Sequence, residues 1–389
     1  MSEKIRVGII GYGNMGTGHA RNIREGKCPD IVLTAVADIL PARREAAEQD
    51  NSGVRTFDDA IAMLDSGEID ACIISVPHYD HPRYAIACIE RGIHVMVEKP
   101  AGVYAKQVRE MNEVAARHPE VQFGMMFNQR TNCVYRKMRE LVHSGNYGEI
   151  RRAVWIITNW YRPQAYYDSG NWRATWSGEG GGVLLNQCPH QLDMWQWICG
   201  MPVKIDAHLH FGKWHNIEVE DDVTAYAEYA NGATGVFITT TGDAYGTNRF
   251  EIQMDRAKLV ADESSLRVWE FEMSEPEFSR TNKTPFAAPK VTEIPVELDG
   301  ENPQHVGVLN AWAGAILRGT PLVAHGSEGI NGVNISNAMH LSAFLGKPVS
   351  LPVDEELYYA ELQKRVATSQ VKTGEAVFSD TSNTYSGTK

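Results

Sequence analysis

The sequence predicts an α/β protein of two domains: an N-terminal doubly wound parallel sheet, then an α+β domain with a large, mostly antiparallel sheet. Two patterns along the 389 residues predict this division. Up to about residue 129, short apolar runs alternate with helical patterns, which is typical of parallel βαβ units. Beyond that point, long strand patterns follow one another with few helices between them, as in antiparallel sheets.

The first predicted domain, residues 1–129, contains strand patterns rich in aliphatic and β-branched residues. The predicted strands are Ile5–Ile10, Ile31–Ala37, Ala71–Val76, Ile93–Val97 and Val121–Phe127. The predicted helices are Met15–Glu25, one that Pro41 opens, Phe57–Leu64, Pro82–Arg91 and Ala105–Ala116. This alternation places the carboxyl ends of the strands at one edge, where open α/β sheets bind ligands.

The second predicted domain, residues 130–365, is expected to bind substrate and to mediate oligomerisation. Its predicted strands are Ile150–Tyr161, Val203–Phe211, Val223–Tyr229, Thr234–Thr241, Phe250–Met254 and Lys258–Ala261. Its predicted helices are Thr131–Leu141, Gln187–Ile198, Val306–Leu317 and Ile330–Leu345. Residues 274–290 are predicted to be a loop, and the polar residues 366–389 an arm or a disordered tail.

Charge and composition exclude several classes of protein. With 37 basic and 49 acidic residues the net charge is −12, so the chain lacks the basic surface that nucleic acid or anionic membranes attract. Its apolar runs are shorter than the ~18 residues of a membrane span. The start, Met1-Ser2-Glu3-Lys4, leads directly into a strand pattern, and the six cysteines form no CxxC pair. We therefore expect a cytoplasmic protein without a signal peptide, disulfides or a zinc site.

A glycine motif between the first strand and the first helix predicts a dinucleotide site. The motif is Gly11-Tyr12-Gly13-Asn14-Met15-Gly16. Its glycines permit a tight turn, close approach of a pyrophosphate and close helix packing, which is the Rossmann fingerprint. Asp38 stands where an acidic residue is expected to bind the ribose, so we predict NAD rather than NADP, although Arg43 and Arg44 lie nearby. The alternative is a plain glycine turn with Asp38 as a helix cap.

Two further segments predict catalytic groups. Glu98 and Lys99 end the strand Ile93–Val97, where a lysine can donate a hydrogen bond to a substrate oxygen. A glycine-rich segment leads to Asn186 and His190, which are four residues apart and could share a helical face. His190 is a candidate general base. The alternatives are a surface ion pair of Glu98 with Lys99, Asn186 as a helix cap, and His190 as a packed core residue.

Aromatic and histidine-rich segments have two interpretations each. An aromatic cluster could stack on sugar faces or pack the sheet, and Tyr161 is predicted to touch substrate. The cluster is Trp155, Trp160, Tyr161, Tyr166, Tyr167, Trp172 and Trp176.

His208, His210 and His215 lie close to an acidic run and resemble a metal site, but we expect that run to solvate a loop and predict no metal.

These motifs together resemble the glucose–fructose oxidoreductase/inositol dehydrogenase (Gfo/Idh/MocA) family over residues 4–345. The Glu98-Lys99-Pro100 motif is the most specific of them. The resemblance adds contacts to the cofactor: Ser75-Val76-Pro77-His78 with His81, Glu98, Lys99, Asn128 at the end of the first domain, and Trp172-Arg173.

The resemblance implies NAD(P)-dependent oxidation or reduction of a secondary alcohol in a sugar, glycoside or cyclitol such as an inositol. Lys99 is then the catalytic lysine and His190 the acid/base, with a cis bond before Pro100. Lys99, Tyr161, Asn186 and His190 are the implied substrate contacts. Asn186 stands where the family usually has Asp; a neutral Asn adds no charge, so His190 is expected to titrate lower than beside a carboxylate.

Two other functions stay open on the same scaffold. In an NAD-dependent glycosidase or epimerase, the cofactor is reduced and reoxidised within one turnover. A non-catalytic sugar sensor is the other, although the intact Glu98-Lys99-Pro100 argues against it.

The strand pattern Ile150–Tyr161 predicts an oligomer. One face carries Val154, Ile156, Thr158 and Trp160, and the other Trp155, Ile157, Asn159 and Tyr161. Both faces are largely apolar, as in a sheet covered on both sides. A homodimer or homotetramer through this sheet would cover the second face.

Overall fold

A computed structural model describes residues 4–370 and confirms the predicted fold class. A six-stranded sheet in the first part has the order β3-β2-β1-β4-β5-β6, with every strand parallel to its neighbours. Its strands are β1 (Ile5–Ile10), β2 (Ile31–Ala37), β3 (Arg55–Phe57), β4 (Ala71–Ile74), β5 (His94–Val97) and β6 (Phe123–Met125). The helices between them are α1 (Asn14–Arg24), α2 (Pro41–Asp50), α3 (Ala60–Leu64), α4 (His81–Ile89) and α5 (Ala105–Ala116).

The strand order fixes where a ligand can enter this sheet. The chain runs outward from β1 through β2 to β3 and then returns to β4 on the other side of β1. The reversal opens a crevice at the carboxyl ends of β1 and β4, the position at which doubly wound sheets bind nucleotides. Gly11 and Ser75 directly follow these two strands.

The second sheet has nine strands in the order β14-β13-β12-β11-β7-β10-β9-β8-β15. They are β7 (Ile150–Ile157), β8 (Lys204–Phe211), β9 (Glu220–Glu228), β10 (Thr234–Thr240), β11 (Asn248–Met254), β12 (Ala257–Asp262), β13 (Ser265–Phe271), β14 (Val291–Ile294) and β15 (Val349–Ser350). Neighbouring strands are antiparallel except for β7 and β10, which are parallel. The mostly antiparallel sheet predicted for this part is therefore confirmed.

Helices cover one face of the second sheet. The remaining helices are α6 (Cys133–His143), α7 (Gln164–Asp168), α8 (Pro189–Cys199), α9 (Glu275–Thr281), α10 (Gln304–Arg318), α11 (Gly329–Leu345) and α12 (Glu355–Val366). Trp155 stacks on Phe250 with ring centroids 4.3 Å apart, and Trp195 of α8 stacks on Phe237 at 5.4 Å. These rings are fully buried, so α8 is fixed on the sheet by apolar contacts.

Helix α10 crosses back to the first sheet. Its residues Val308, Leu309 and Trp312 are buried in one apolar cluster with Ile5 and Val7 of β1. The sequence assigned α10 to the second domain, but the helix packs against the sheet of the first domain. The two parts of the chain therefore share an apolar cluster between α10 and β1.

The structure departs from the predicted elements at several places. Strand β7 ends at Ile157 rather than Tyr161, because Thr158 N bonds to Thr247 O and Arg162 N to Thr241 O as the chain leaves the sheet. The elements that the sequence did not predict are β3, β13, β14, β15, α7, α9 and α12, of which α9 lies inside the predicted loop 274–290.

Two further predictions concern the end of the chain and membranes. Most of the tail predicted over 366–389 lies outside the described residues, since only 366–370 fall within them. Between residues 4 and 370, no helix is both long and apolar enough to cross a membrane.

Candidate active site

The three glycines of the dinucleotide motif meet three different constraints. Gly11 has φ +91°, and a Cβ there would lie 2.5 Å from Ser75 O. A Cβ at Gly16 would lie 2.0 Å from Gly11 O, so helix and turn pack too closely for a side chain. At Gly13, by contrast, a Cβ would meet nothing within 4 Å. The fold itself requires Gly11 and Gly16, whereas Gly13 borders open space of the kind a pyrophosphate needs.

The groups around this space suit a nucleotide. Gly13 is the N-cap of α1, so the first amides of the helix face the space with a glycine in front of them, and helix N-termini bind phosphates. The buried Ser75 Oγ, at the end of the neighbouring strand, has no hydrogen-bond partner among residues 4–370. An uncompensated buried hydroxyl is costly, and a bound ligand would satisfy it.

Asp38 is held at the predicted ribose position by backbone amides. Its Oδ2 accepts from Tyr12 N at 2.8 Å and its Oδ1 from Leu40 N at 2.9 Å. The N-cap of α2 is Leu40, so the helix-cap alternative for Asp38 does not hold. Arg44 Nη1 donates to the Asp38 carbonyl at 2.8 Å. The carboxylate keeps further lone pairs for ribose hydroxyls.

Both the backbone amide and the side chain of Tyr12 have hydrogen-bond partners within the protein. The side chain is 1% exposed, and its hydroxyl bonds Asp50 and Asn51 at 3.1 and 2.8 Å. Burial, opposed by the bond from Asn51, raises the pKa of Tyr12 to about 12. The side chain thus packs under the turn.

His81 links the two turns that follow β4 and β5. Its Nδ1 lies 2.6 Å from Pro100 O and its Nε2 2.8 Å from Val76 O. Both ring nitrogens therefore face carbonyl oxygens of these turns and hold the turns together, while the contact of His81 with the cofactor stays a prediction. His78 faces the other domain, with Nδ1 3.3 Å from Glu179 O and its ring edge-on to Trp172 at 5.6 Å.

Glu98 is buried and pairs with a histidine rather than with Lys99. It is 3% exposed, and its Oε1 lies 2.7 Å from Nε2 of His19 on α1. Burial opposes ionisation, but the hydrogen bond and charge of His19, with the charges of His305 and Lys99, hold the pKa of Glu98 at about 2. The alternative of a surface ion pair is therefore wrong. Sequence reasoning missed His19 and His305, whose rings lie 5.7 Å apart.

Lys99 reaches from the first domain to the second. Its Nζ donates to the backbone carbonyl of Asn186 at 2.8 Å, and the Lys99–Pro100 bond is cis, as the resemblance implied. Burial lowers the pKa of Lys99, while the negative charge of Glu98 acts in the opposite direction. The lysine thus stands at the carboxyl end of β5 beside the turn that carries the other candidate groups.

A buried carboxylate of the second sheet holds that turn. Glu220 of β9 accepts from Gly182 N at 2.9 Å and from Leu184 N at 3.0 Å, and His340 Nε2 lies 2.9 Å from its Oε2. A Cβ at Gly182 would lie 2.0 Å from Glu220 O. Glu220 and the glycine together fix the turn that precedes α8.

His190 and Asn186 occupy different parts of this segment. Helix α8 begins at Pro189 with Cys188 as its N-cap, so Asn186 lies in the preceding turn and neither caps the helix nor shares its face. His190 is 1% exposed in the first turn of α8, edge-on to Phe127 at 6.5 Å. Burial, with the charge of Lys99, lowers the pKa of His190 well below its ordinary value, so the imidazole is neutral at physiological pH.

The Asn186 side chain contacts a carboxylate that the sequence did not indicate. Its Nδ2 donates to Glu179 Oε1, and Ala174 N donates to Glu179 Oε2 at 2.6 Å. Burial raises the pKa of Glu179 to about 6, against the opposing charge of Arg173. A glutamate within a run of glycines is the one sequence signal that could have suggested it.

Of the aromatic and polar residues that the sequence singled out, some lie beside the candidate groups and others lie farther away. Tyr166 lies among the candidate groups: its hydroxyl accepts from Arg173 Nη1 at 2.8 Å and from Gln187 Nε2 at 3.2 Å. Tyr161 is 45% exposed just beyond β7, and its contact with substrate stays a prediction. Asn128 is fully buried, and its amide donates to Gln304 Oε1.

The histidines that suggested a metal site do not converge. His215 Nδ1 lies 3.0 Å from Asp221 Oδ2 and its Nε2 2.8 Å from Arg162 O, whereas His208 and His210 are exposed on β8. Within residues 4–370, no group of three His, Cys, Asp or Glu side chains is arranged to hold a metal ion.

Comparisons with known proteins identify the family of this chain. The family model described as an oxidoreductase family with an NAD-binding Rossmann fold matches residues 5–125, and that of the GFO/IDH/MocA C-terminal domain matches residues 135–260. The rhizopine catabolism protein MocA of Rhizobium meliloti is 27% identical over 197 residues, which are 51% of this chain but only 58% of that protein. Myo-inositol 2-dehydrogenase of Thermotoga maritima is 25% identical over 268 residues, which are 66% of this chain and 75% of that protein.

A solved structure extends the likeness over nearly the whole chain. The WlbA dehydrogenase from Chromobacterium violaceum, in complex with NADH and UDP-GlcNAcA, has a TM-score of 0.78 at 26% identity. The match covers 91% of this chain and 98% of that chain. The chain belongs to the GFO/IDH/MocA family, and its first domain is the NAD-binding Rossmann domain of that family.

Proposed function

We propose that this protein is an NAD-dependent dehydrogenase that oxidises a secondary alcohol of a sugar, glycoside or cyclitol, with Lys99 and His190 at the reacting hydroxyl. The observation that supports this most is the contact between the two domains: Lys99 Nζ, at the nucleotide-binding edge, lies 2.8 Å from the carbonyl of Asn186 in the turn before His190. The dehydrogenase names of the myo-inositol and WlbA relatives support the same reaction class.

Each group has a separate role in this reaction. Bound NAD supplies the hydride acceptor. Lys99 donates a hydrogen bond to the substrate oxygen and stabilises the negative charge that develops as the hydroxyl proton leaves. His190, neutral because burial lowers its pKa, takes that proton. Glu98, ionised in its pair with His19, keeps a negative charge beside the lysine and favours its charged form.

NADH absorbance with a panel of inositols, aldoses, glycosides and UDP-linked uronic acids tests the proposal. We expect NADH with at least one compound, and loss of turnover with retained NADH binding in His190→Asn. Conversion of a sugar without net NADH would instead support the glycosidase or epimerase mechanism. A chain that binds the sugars but not NADH would support the sensor.

The cytoplasmic location and the homo-oligomer also remain proposals. The sheet face opposite the helices supports the oligomer, because it carries a half-buried aliphatic patch. Val154 and Ile156 of β7 lie in register with Val236 and Ile238 of β10. A contiguous apolar patch on a sheet face is the kind of surface that a protein contact covers.

A further inference from the structure

We propose that Glu179 is a positioning residue for this site: its carboxylate fixes the Asn186 amide and supplies the negative charge that neutral Asn186 lacks. The inference rests on the proposed function, because it concerns the same Lys99 and His190. Glu179 lies in the glycine-rich loop before α8 and is 2% exposed.

A hydrogen-bonded chain connects Lys99 to Glu179 through a single residue. Lys99 Nζ donates to the Asn186 carbonyl at 2.8 Å, and the Asn186 side-chain Nδ2 donates to Glu179 Oε1. An ionised carboxylate only accepts hydrogen bonds, so the NH₂ end of the amide must face it. The amide oxygen Oδ1 is thereby directed away from Glu179 and remains an acceptor for a hydroxyl donor.

The loop is shaped to bring this carboxylate inward. A Cβ at Gly178 would lie 2.5 Å from Trp172 O, and one at Gly180, where φ is +80°, would lie 2.2 Å from Val103 Cγ1. Glycines on both sides of Glu179 therefore allow a tight path that side chains would block. The Glu179 carbonyl also faces His78 Nδ1 at 3.3 Å, so the residue touches the nucleotide domain.

The charges around Glu179 come from several elements. Arg173 favours its ionised form and Glu220 disfavours it, while the charge of Glu179 itself raises the pKa of Lys99 against the effect of burial. The titratable and charged groups that face it are Arg173, Lys99, Glu220, Tyr167 and His78. Without the Glu179 charge, Lys99 would lose its proton at a lower pH.

Protonation changes the contact itself. The pKa of Glu179 is raised to about 6, so the carboxylate is mostly ionised at neutral pH and protonated in mild acid. A protonated carboxyl can donate, which allows the amide to turn its oxygen toward Glu179. The orientation of Asn186 is thus expected to change over this range of pH.

An NMR titration tests the contact without any turnover. In the ¹⁵N-asparagine-labelled protein, the Asn186 side-chain amide, identified by its absence in Asn186→Asp, should titrate with a midpoint near that pKa. The same resonance should stay constant in Glu179→Gln. A resonance that is insensitive to pH, or that titrates equally in Glu179→Gln, would overturn the inference and leave the proposed function standing.

Kinetics of three variants test the charge. Glu179→Gln should lower kcat/KM about tenfold or more and move its basic limb to lower pH, with NADH affinity changed less than about twofold. Asn186→Asp places two carboxylates in contact and should also lose activity. The double variant, Glu179→Gln with Asn186→Asp, keeps one carboxylate but moves it to position 186. Its kcat/KM should be higher than that of either single variant, because the effects of two residues in contact do not add.

The matched control is Glu110→Gln on the exposed side of α5, which should behave as wild type. The inference would be overturned if Glu179→Gln kept the kcat/KM and the pH profile of the wild type. It would also be overturned if the kcat/KM of the double variant were lower than that of both single variants. A wild-type protein that reduces no NAD with any sugar would instead refute the proposed function, while the NMR titration still decides the contact.

Discussion

The Nζ atom of Lys99 lies 2.8 Å from the backbone carbonyl oxygen of Asn186, although 87 residues separate them. Strand β5 of the nucleotide domain carries the lysine, and the turn that Glu220 holds carries the asparagine. In the proposed reaction, a substrate oxygen would replace this carbonyl as the acceptor of the Lys99 hydrogen bond. The contact also explains why the candidate groups come from both domains.

Asp38 is expected to determine cofactor choice. Its carboxylate is oriented by Tyr12 N and Leu40 N and would repel a 2′-phosphate. Asp38→Ser should therefore lower the ratio of kcat/KM for NAD to that for NADP by about tenfold or more, which is ~1.4 kcal/mol. Glu110→Gln serves as the control. An unchanged ratio would remove Asp38 from the ribose site.

Glu220 is expected to stabilise the fold through the turn before α8. Its fully buried carboxylate accepts from Gly182 N and Leu184 N and lies beside His340. Glu220→Gln replaces one carboxylate oxygen by an NH₂ group, which leaves part of these donors without an acceptor. The free energy of unfolding should fall by about 1–3 kcal/mol. Urea denaturation measures the loss, with the exposed Glu297→Gln as control. Equal stability of the two variants would show that the turn does not depend on the carboxylate.

The Glu98–His19 pair makes stability depend on pH. The ordinary pKa of 4.5 falls to about 2 for Glu98 in the folded state, so its stabilisation is complete well above pH 4.5 and is lost as the pH falls toward 2. The stability difference between wild type and Glu98→Gln should shrink by about 1 kcal/mol between pH 7 and pH 4. A difference that stays constant over this range would mean that Glu98 is not stabilised in its ionised form.

The aliphatic patch on β7 and β10 is expected to lie in a subunit interface. Analytical ultracentrifugation at micromolar concentration should show a homodimer or homotetramer of the wild type. Ile238→Lys, on the half-buried face of β10, should shift the protein toward monomer because a buried ammonium is costly. The control is Thr292→Lys on the exposed edge strand β14. A wild-type monomer would contradict the interface.

Local sequence patterns predicted the regular elements but not the contacts between them. The bounds of β2 and α5 are those predicted, because β-branched runs and helix-forming residues determine them locally. The end of β7 was wrong, since the alternating pattern continues after the chain has left the sheet.

The site shows the same division between local and distant information. The glycine motif, Lys99 and His190 could be named from spacing and resemblance. The bonds of Glu98 to His19 and of Asn186 to Glu179 depend on how distant segments pack, and no local pattern encodes them. Buried polar groups need hydrogen-bond partners, and only the packed structure shows which partner each group has.

The most direct test of the proposed dehydrogenase compares wild type with Lys99→Ala in the same assay. With a substrate from the panel and saturating NAD, wild type should form NADH, and Lys99→Ala should lose turnover by orders of magnitude, because the substrate oxygen loses its hydrogen-bond donor. Titration of NADH fluorescence should show that the variant still binds the cofactor. Near-normal turnover in Lys99→Ala, or no NADH from wild type with any compound of the panel, would contradict the account.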